Sequence, residues 1–267
     1  MTSPQLVEVR VEARNTAATS ENRIHADNVA RQYGFRGGLV PGVTTMAYVL
    51  EAVLQLFGED FLSRGAGTLR LTAPVYEGEA VTARLRPAGD RWQAAVAGPD
   101  GTSRAEGSVW LRALSSTPRG TEIPAAPLPA ERPLASPEVF AGRPVLGTRR
   151  WRFDLVEAER YLGQIGLGGS AFRSRHPGAL LREANSALTA NVRLGPWVHV
   201  ESAFELYGAP EPGEEVETRS RVIEAYERKG HRFVRLEVLV RGREPLIWVD
   251  HLAIYELRAP TAPTGEG

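Results

Sequence analysis

The chain has 267 residues, enough for two modest domains or one large one, with ample core in either case. Thirty-two basic residues balance thirty-two acidic ones, so net charge supplies no pull towards nucleic acid or an anionic membrane. No cysteine is present, which excludes a disulfide scaffold, a thiolate metal site and a thiol nucleophile, and no leader-like or membrane-length apolar run appears, so the expectation is a soluble cytoplasmic protein.

From Leu6 to Ala13 valines alternate with charged residues, the pattern of a half-buried strand. Asn15 to Asn22 is polar and loop-like and leads to His25. Asp27 to Tyr33 reads as a short helix with Asp27 near its start. The stretch Gly34 to Gly42 is glycine-rich and runs into a long helical pattern opening on Pro41-Gly42. Val43, Met46, Ala47, Leu50, Val53, Leu54 and Phe57 recur there at three- and four-residue steps, as in a helix that faces a core. Pro41 supplies a pre-set φ where no amide hydrogen bond is lost. Gly42 leaves the first-turn N–H groups open to a ligand, and a helix start welcomes negative charge. A histidine, a glycine-lined bend and an open helix start point to chemistry on a carbonyl.

After Gly58-Glu59-Asp60, Leu69 to Pro87 reads as strand, turn (Tyr76 to Glu79) and strand. Trp92 to Ala97 and Ser103 to Ala113 complete a meander. From Leu114 to Arg150 seven prolines, Pro118 to Pro144, indicate an extended linker or wrapping segment and the domain boundary. Beyond it the first half recurs. Pro177-Gly178 opens a second helical pattern running to Val192, followed by strands from His199, Val216, His231 and Leu246. Gly42 to Gly78 spans 36 residues and Gly178 to Gly213 spans 35, and Gly-Glu-Ala-Val-Thr and Gly-Glu-Glu-Val-Glu follow the two turns in register. A period this long means tandem domains, each a helix against an antiparallel sheet, an α+β arrangement. The expected units are 1–113 and 151–258, joined by 114–150 and ended by a disordered tail at 259–267.

Asn22-Arg23-Ile24-His25, then Gly34-Phe35-Arg36-Gly37-Gly38-Leu39-Val40-Pro41-Gly42, then Ala73-Pro74-Val75-Tyr76-Glu77-Gly78-Glu79 resembles the MaoC-like hot-dog hydratases and dehydratases. The resemblance covers about residues 5–113; the second repeat matches the fold pattern but little of the active-site string. It implies two tandem hot-dog domains, paired within one chain, and an acyl thioester of coenzyme A or acyl carrier protein bound near the helix start. No cofactor beyond that carrier is expected, the charge balance points to no nucleic-acid or membrane partner, and a homodimer is one open arrangement. It implies His25 as the acid/base and the Gly42 N–H as oxyanion donor, with Asn22, Arg36, Gly37, Gly38 and Pro41 as the substrate-binding candidates. The family's aspartate, five positions before its histidine, falls on Ser20, and the histidine that usually precedes the helix glycine is Pro41 here. Ser20 can position water but not replace a carboxylate, so Glu21, one residue away, is the carboxylate that a shifted turn would bring into play.

Three readings follow. One is hydration or dehydration of an acyl thioester at the 2,3 position. Another is thioester hydrolysis with Glu21 or Glu51 as base. The third is a catalytically silent binder of acyl or hydrophobic ligands. In the second repeat the position matching His25 is Tyr161, so that unit is expected to support rather than catalyse. His176, His199, His231 and His251 are scattered singly, without metal-ligand spacing.

Overall fold

The computed structural model describes residues 6–113 and 115–258; the tail at 259–267 lies outside them. The valine alternation forms the edge strand β1 (Val7–Glu12), with Val9 opposite Ala83 and Val11 opposite Val81. A 3-10 turn (Arg23–His25) and α1 (Asp27–Gln32) lead to α2 (Gly42–Phe57) and α3 (Asp60–Arg64). Strands β2 (Gly65–Leu71), β3 (Ala80–Ala88), β4 (Arg91–Ala97) and β5 (Ser103–Leu111) complete the first half. Every residue of α2 from Val43 to Leu54 is buried. It is therefore a core helix enclosed on all sides, each large side chain contributing about 1.5–3 kcal/mol by leaving water.

The second half comprises α4 (Pro137–Gly142), β6 (Val145–Arg152), α5 (Leu155–Gln164), α6 (Gly178–Leu181), α7 (Glu183–Thr189), β7 (Val198–Leu206), β8 (Glu215–Arg228), β9 (His231–Arg241) and β10 (Pro245–Glu256). All ten strands form one sheet, in the order β1-β3-β4-β5-β2-β7-β10-β9-β8-β6. Each half thus runs first-third-fourth-fifth-second, so the duplication read from the two Gly-Glu turns extends to topology. The halves join where β2 pairs antiparallel with β7, Ala66 to Arg70 against Glu205 to Glu201. No helix among the described residues is long and apolar enough to cross a membrane.

The segment 114–150, read as linker, holds more structure than its prolines suggest. The helix α4, with Phe140 buried, and the strand β6 both begin inside it. Pro144 stands immediately before β6, where no ladder hydrogen bond is lost. The remainder lies as a strap on the second half: Ile123 is fully buried, Thr148 N–H donates to the Ala126 carbonyl (2.8 Å), and Arg119 lies 3.6 Å over the Trp248 ring. The helical pattern after Pro177 is also interrupted, between α6 and α7. At that point the ladder tightens, with Asn185 N–H returning to the Arg182 carbonyl (3.0 Å).

The two central helices meet at α6. Buried His176 accepts the Gly178 N–H at Nδ1 (3.1 Å) and turns Nε2 towards Glu51 Oε2 at 3.7 Å. Glu51, one of the two carboxylates considered for hydrolysis, is consequently a core residue of α2 facing His176, with Gln55 Nε2 donating to its Oε1 (3.2 Å).

His176, His199 and His251 are buried, and burial holds each in its neutral form. His176 is pushed down to about 3, His199 to about 4, and His251 well below the ordinary imidazole range, with the neighbouring His199 adding to the effect. An unfolded imidazole titrates near ~6.5. Since the folded values lie below that, the unfolded chain binds more protons as the solution is acidified. Stability is therefore complete above about pH 6.5 and is lost towards about pH 4, at about 1.4 kcal/mol per pH unit for each histidine. Urea midpoints measured at about pH 7, 6 and 5 should fall steadily, and His176→Gln should flatten that slope. Midpoints independent of pH over this range would contradict the burial of these rings in their neutral form.

Candidate functional site

The site is built from a turn that the sequence ties down at several points. Asn22 caps the 3-10 turn by accepting the Ile24 N–H (3.4 Å). Its side-chain amide also reaches across the fold to Trp197: Nδ2 donates to the Trp197 carbonyl (3.0 Å) and Oδ1 accepts the Trp197 N–H (3.1 Å). That double match fixes which end of the amide is which, and leaves Nδ2 facing His25 Nε2 at 3.1 Å. An amide N–H can only donate, so Nε2 is the unprotonated nitrogen. The proton sits on Nδ1, which donates to the Leu39 carbonyl at 2.7 Å. Burial lowers the pKa of His25, the Leu39 contact partly opposing it, so Nε2 is a free base at neutral pH.

The glycine bend serves this turn from behind. A Cβ on Gly38 would stand 2.1 Å from the His25 carbonyl oxygen, and Asp27 Oδ1 accepts the Gly38 N–H at 2.8 Å. Gly37 and Gly38 are both buried in that packing and lie outside the cavity walls. From there Leu39 and Val40 carry the chain to Pro41 and α2. The first helical hydrogen bonds run from Thr44 N–H and Thr45 N–H to the Pro41 carbonyl, so the N–H groups of Gly42 and Val43 are at the open end of the helix.

His25, Asn22, Pro41 and Gly42 all line one cavity of about 240 Å³. Its remaining walls are mainly apolar: Ile24, Leu39, Val40, Leu71 and Val75 from the first half, Trp197, Val198, Val200 and Ile254 from the second, together with Thr45, Asn185 and His199. No carboxylate stands in these walls. A second, more polar cavity of about 500 Å³ adjoins it, lined by Ser20, Glu21, Thr44, Arg132, Tyr161, Arg182 and Ser186 among others. The two share Asn22, His25, Pro41, Asn185 and Trp197, so the His25 imidazole stands in the partition between them.

The structure thus brings His25, Asn22, Pro41 and Gly42 together and sends the other candidates elsewhere. Ser20 faces only the second cavity, and its hydroxyl donates to the Asn22 carbonyl (3.3 Å). Glu21 does not swing in. It is exposed and held by Arg132 through two hydrogen bonds, of 3.0 and 3.2 Å, which keep its carboxyl below the usual range. Arg36 lies 4.2 Å over the Tyr76 ring and pairs with Glu79, a cation–π stack that draws it away from the cavity.

Residues that the sequence did not single out for the site come from the second half, chiefly Trp197, Asn185 and His199. His199 is reached through a local irregularity. The β7–β10 register shifts between Leu252 and Ala253, leaving Val200 as an extra residue on β7. Residues three apart normally face opposite sides of a strand, but across this bulge His199 and Ser202 both point inwards. Ser202 Oγ lies 2.9 Å from His199 Nε2 and 3.2 Å from Nδ1 of His251, its direct partner on β10. The two imidazole rings lie with centroids 4.3 Å apart, tilted by 36°. Only long-range strand pairing brings these histidines together, and spacing along the chain gives no sign of it.

By sequence the chain matches no protein-family model and no curated protein. By structure it is similar to a MaoC-domain protein described as a dehydratase from Chloroflexus aurantiacus J-10-fl, with a TM-score of 0.63 at 9% identity over 96% of each chain. It is similar to a conserved hypothetical protein of Mycobacterium tuberculosis described as a double hot-dog, with a TM-score of 0.62 at 12% identity over 95% of this chain and 96% of that one. A protein described as an oleoyl thioesterase from Lactobacillus plantarum matches with a TM-score of 0.56 at 12% identity over 96% of this chain and 98% of that one. Identities this low speak for architecture and not for activity: the chain has a double hot-dog fold.

Proposed function

We propose that the chain is a hydratase or dehydratase of an acyl thioester, carried by coenzyme A or an acyl carrier protein, that adds or removes water at the 2,3 position. One observation carries this reading: an unprotonated His25 Nε2 and the open amide of Gly42 line the same mainly apolar cavity. In the hydration direction a water replaces Asn22 Nδ2 as the partner of Nε2. His25 takes a proton from that water as its oxygen bonds to C3, and the electron pair of the double bond moves to the thioester oxygen beside the Gly42 N–H. The imidazolium then returns the proton to C2. Both proton steps are assigned to His25, since no carboxylate stands in the cavity wall. The thioester supplies its own carrier and no further cofactor is called for.

The silent-binder reading keeps one specific support, the Ser20 hydroxyl committed to the Asn22 carbonyl where the family has an aspartate. Hydrolysis is disfavoured because neither carboxylate considered for it lines the cavity: Glu21 is held by Arg132, and Glu51 faces His176 in the core.

Incubation with crotonyl-CoA, following enoyl absorbance and free thiol together, separates these readings. Loss of absorbance without thiol release is the expected result. Thiol release would establish hydrolysis, and binding with neither change would establish the silent ligand site. His25→Ala should lower hydration by about 10²–10⁴-fold with folding intact.

The acid limb of kcat/KM should lie below the ordinary imidazole range, because His25 must be neutral and burial lowers its pKa. Asn22→Asp places a carboxylate beside Nε2, which favours the imidazolium. The acid limb should then move to higher pH; an unmoved limb would remove His25 from the rate-determining protonation.

A further inference from the structure

His199 is 4% exposed, and its Nδ1 has no hydrogen-bond partner although the ring lines the cavity of His25 and Gly42. It lies on the Gly42 side of the ring: a Cβ on Gly42 would stand 2.9 Å from Nδ1. The other nitrogen, Nε2, meets Ser202 Oγ, which also meets His251 Nδ1, and His251 Nε2 is buried without a partner.

One serine proton between two neutral imidazoles allows two arrangements. In the first, Ser202 donates to His251 and accepts from His199 Nε2–H. That leaves the orphan N–H on His251 Nε2, sealed in the sheet, and a bare lone pair on His199 Nδ1. In the second, Ser202 donates to His199 Nε2 and accepts from His251 Nδ1–H. The only orphan donor is then His199 Nδ1–H, in the wall of a cavity that takes a ligand, and His251 Nε2 keeps an unmatched acceptor. A buried orphan donor is the rarer defect, and the second arrangement puts it where a ligand can satisfy it.

We propose that His199 is a second hydrogen-bond donor to the ligand's carbonyl oxygen, its Nδ1–H standing beside the Gly42 N–H, with Ser202 and His251 as positioning residues that fix the tautomer. The proposal rests on the acyl-thioester reading and adds a residue from the second half to it. A neutral imidazole donor suits such a position because it polarises the carbonyl without bringing a full charge into an apolar cavity. The strand bulge at Val200 that turns His199 inwards is then a functional feature of β7.

Two measurements test it. In the ligand-free protein, two-bond ¹⁵N–¹H correlation of the imidazoles, with His199 assigned by its loss in His199→Phe, should show His199 protonated at Nδ1. Protonation at Nε2 overturns the proposal without any ligand being needed. The second uses butyryl-CoA labelled with ¹³C at the carbonyl, which binds but has no double bond to hydrate. The downfield shift of the bound carbonyl should persist in His25→Ala and shrink in His199→Phe and Ser202→Ala. Crotonyl-CoA hydration should fall about 10²–10³-fold in His199→Phe, as for loss of one oxyanion donor. Binding with an undiminished shift in His199→Phe sinks the role of His199 alone. A wild-type protein that binds neither butyryl-CoA nor butyryl-acyl carrier protein sinks the thioester reading and this donor role together.

Discussion

The pairing of β2 with β7 is the constraint on which the rest of the molecule depends. It converts two five-strand halves into one sheet, and it brings the end of β2, with Leu71, to the beginning of β7, with Val198, His199 and Val200, as walls of one cavity. The Asn22 amide then spans 175 positions of sequence to match both backbone groups of Trp197. That contact does two things at once: it docks the His25 turn on the second half and fixes the protonation of the His25 ring. The site therefore has no existence in the first half alone, although the residues expected to perform its chemistry lie there.

The electrostatic character of the cavity follows from the same arrangement. Its walls are mostly apolar, and its two imidazoles are both held neutral by burial. In such surroundings one lone pair and a few N–H dipoles act at full strength, because little water competes for them. The charged groups are concentrated elsewhere: Glu21 with Arg132 at the adjoining cavity, Arg36 stacked on Tyr76, and Glu51 shielded beside His176. A missing carboxylate is consistent with this economy of charge. In the proposed reaction His25 carries the proton both ways, so the hold on its tautomer matters more than it would beside an ionisable carboxylate.

Local regularities made most of the fold legible. Alternation exposed β1, and turn residues marked off β3, β4 and β5. Three- and four-residue steps exposed α2, and the Gly-Glu turns exposed the repeat. What escaped was whatever depends on distant contacts. The strand β6 alternates only weakly and is preceded by prolines, so it resembled the linker it follows. Gly42 read as an open helix start and does line the cavity, but Gly37 and Gly38 pack behind the His25 carbonyl, outside the cavity walls. Trp197 and His199 carry no motif, since their role comes from strand pairing and from a bulge that no periodicity announces. The carboxylate question was visible in the sequence at Ser20, yet only coordinates could show Glu21 engaged by Arg132.

The two helix starts show how a duplicated unit becomes asymmetric. Gly42 lines the cavity, and its amide lies before the first helical hydrogen bonds. At the equivalent Gly178 the amide is taken by the chain's own His176. Tyr161, at the position matching His25, is buried on α5, with its hydroxyl 3.5 Å from Thr44 Oγ1. The second copy has thus used its own version of the site as packing, and its β7 edge forms the far wall of the first copy's cavity. A symmetric pair would hold two equivalent cavities, each needing both halves intact. With the Gly178 amide taken by His176, β7 serves the cavity at the Gly42 helix start instead, and His199, with Trp197 just before the strand, stands in its wall.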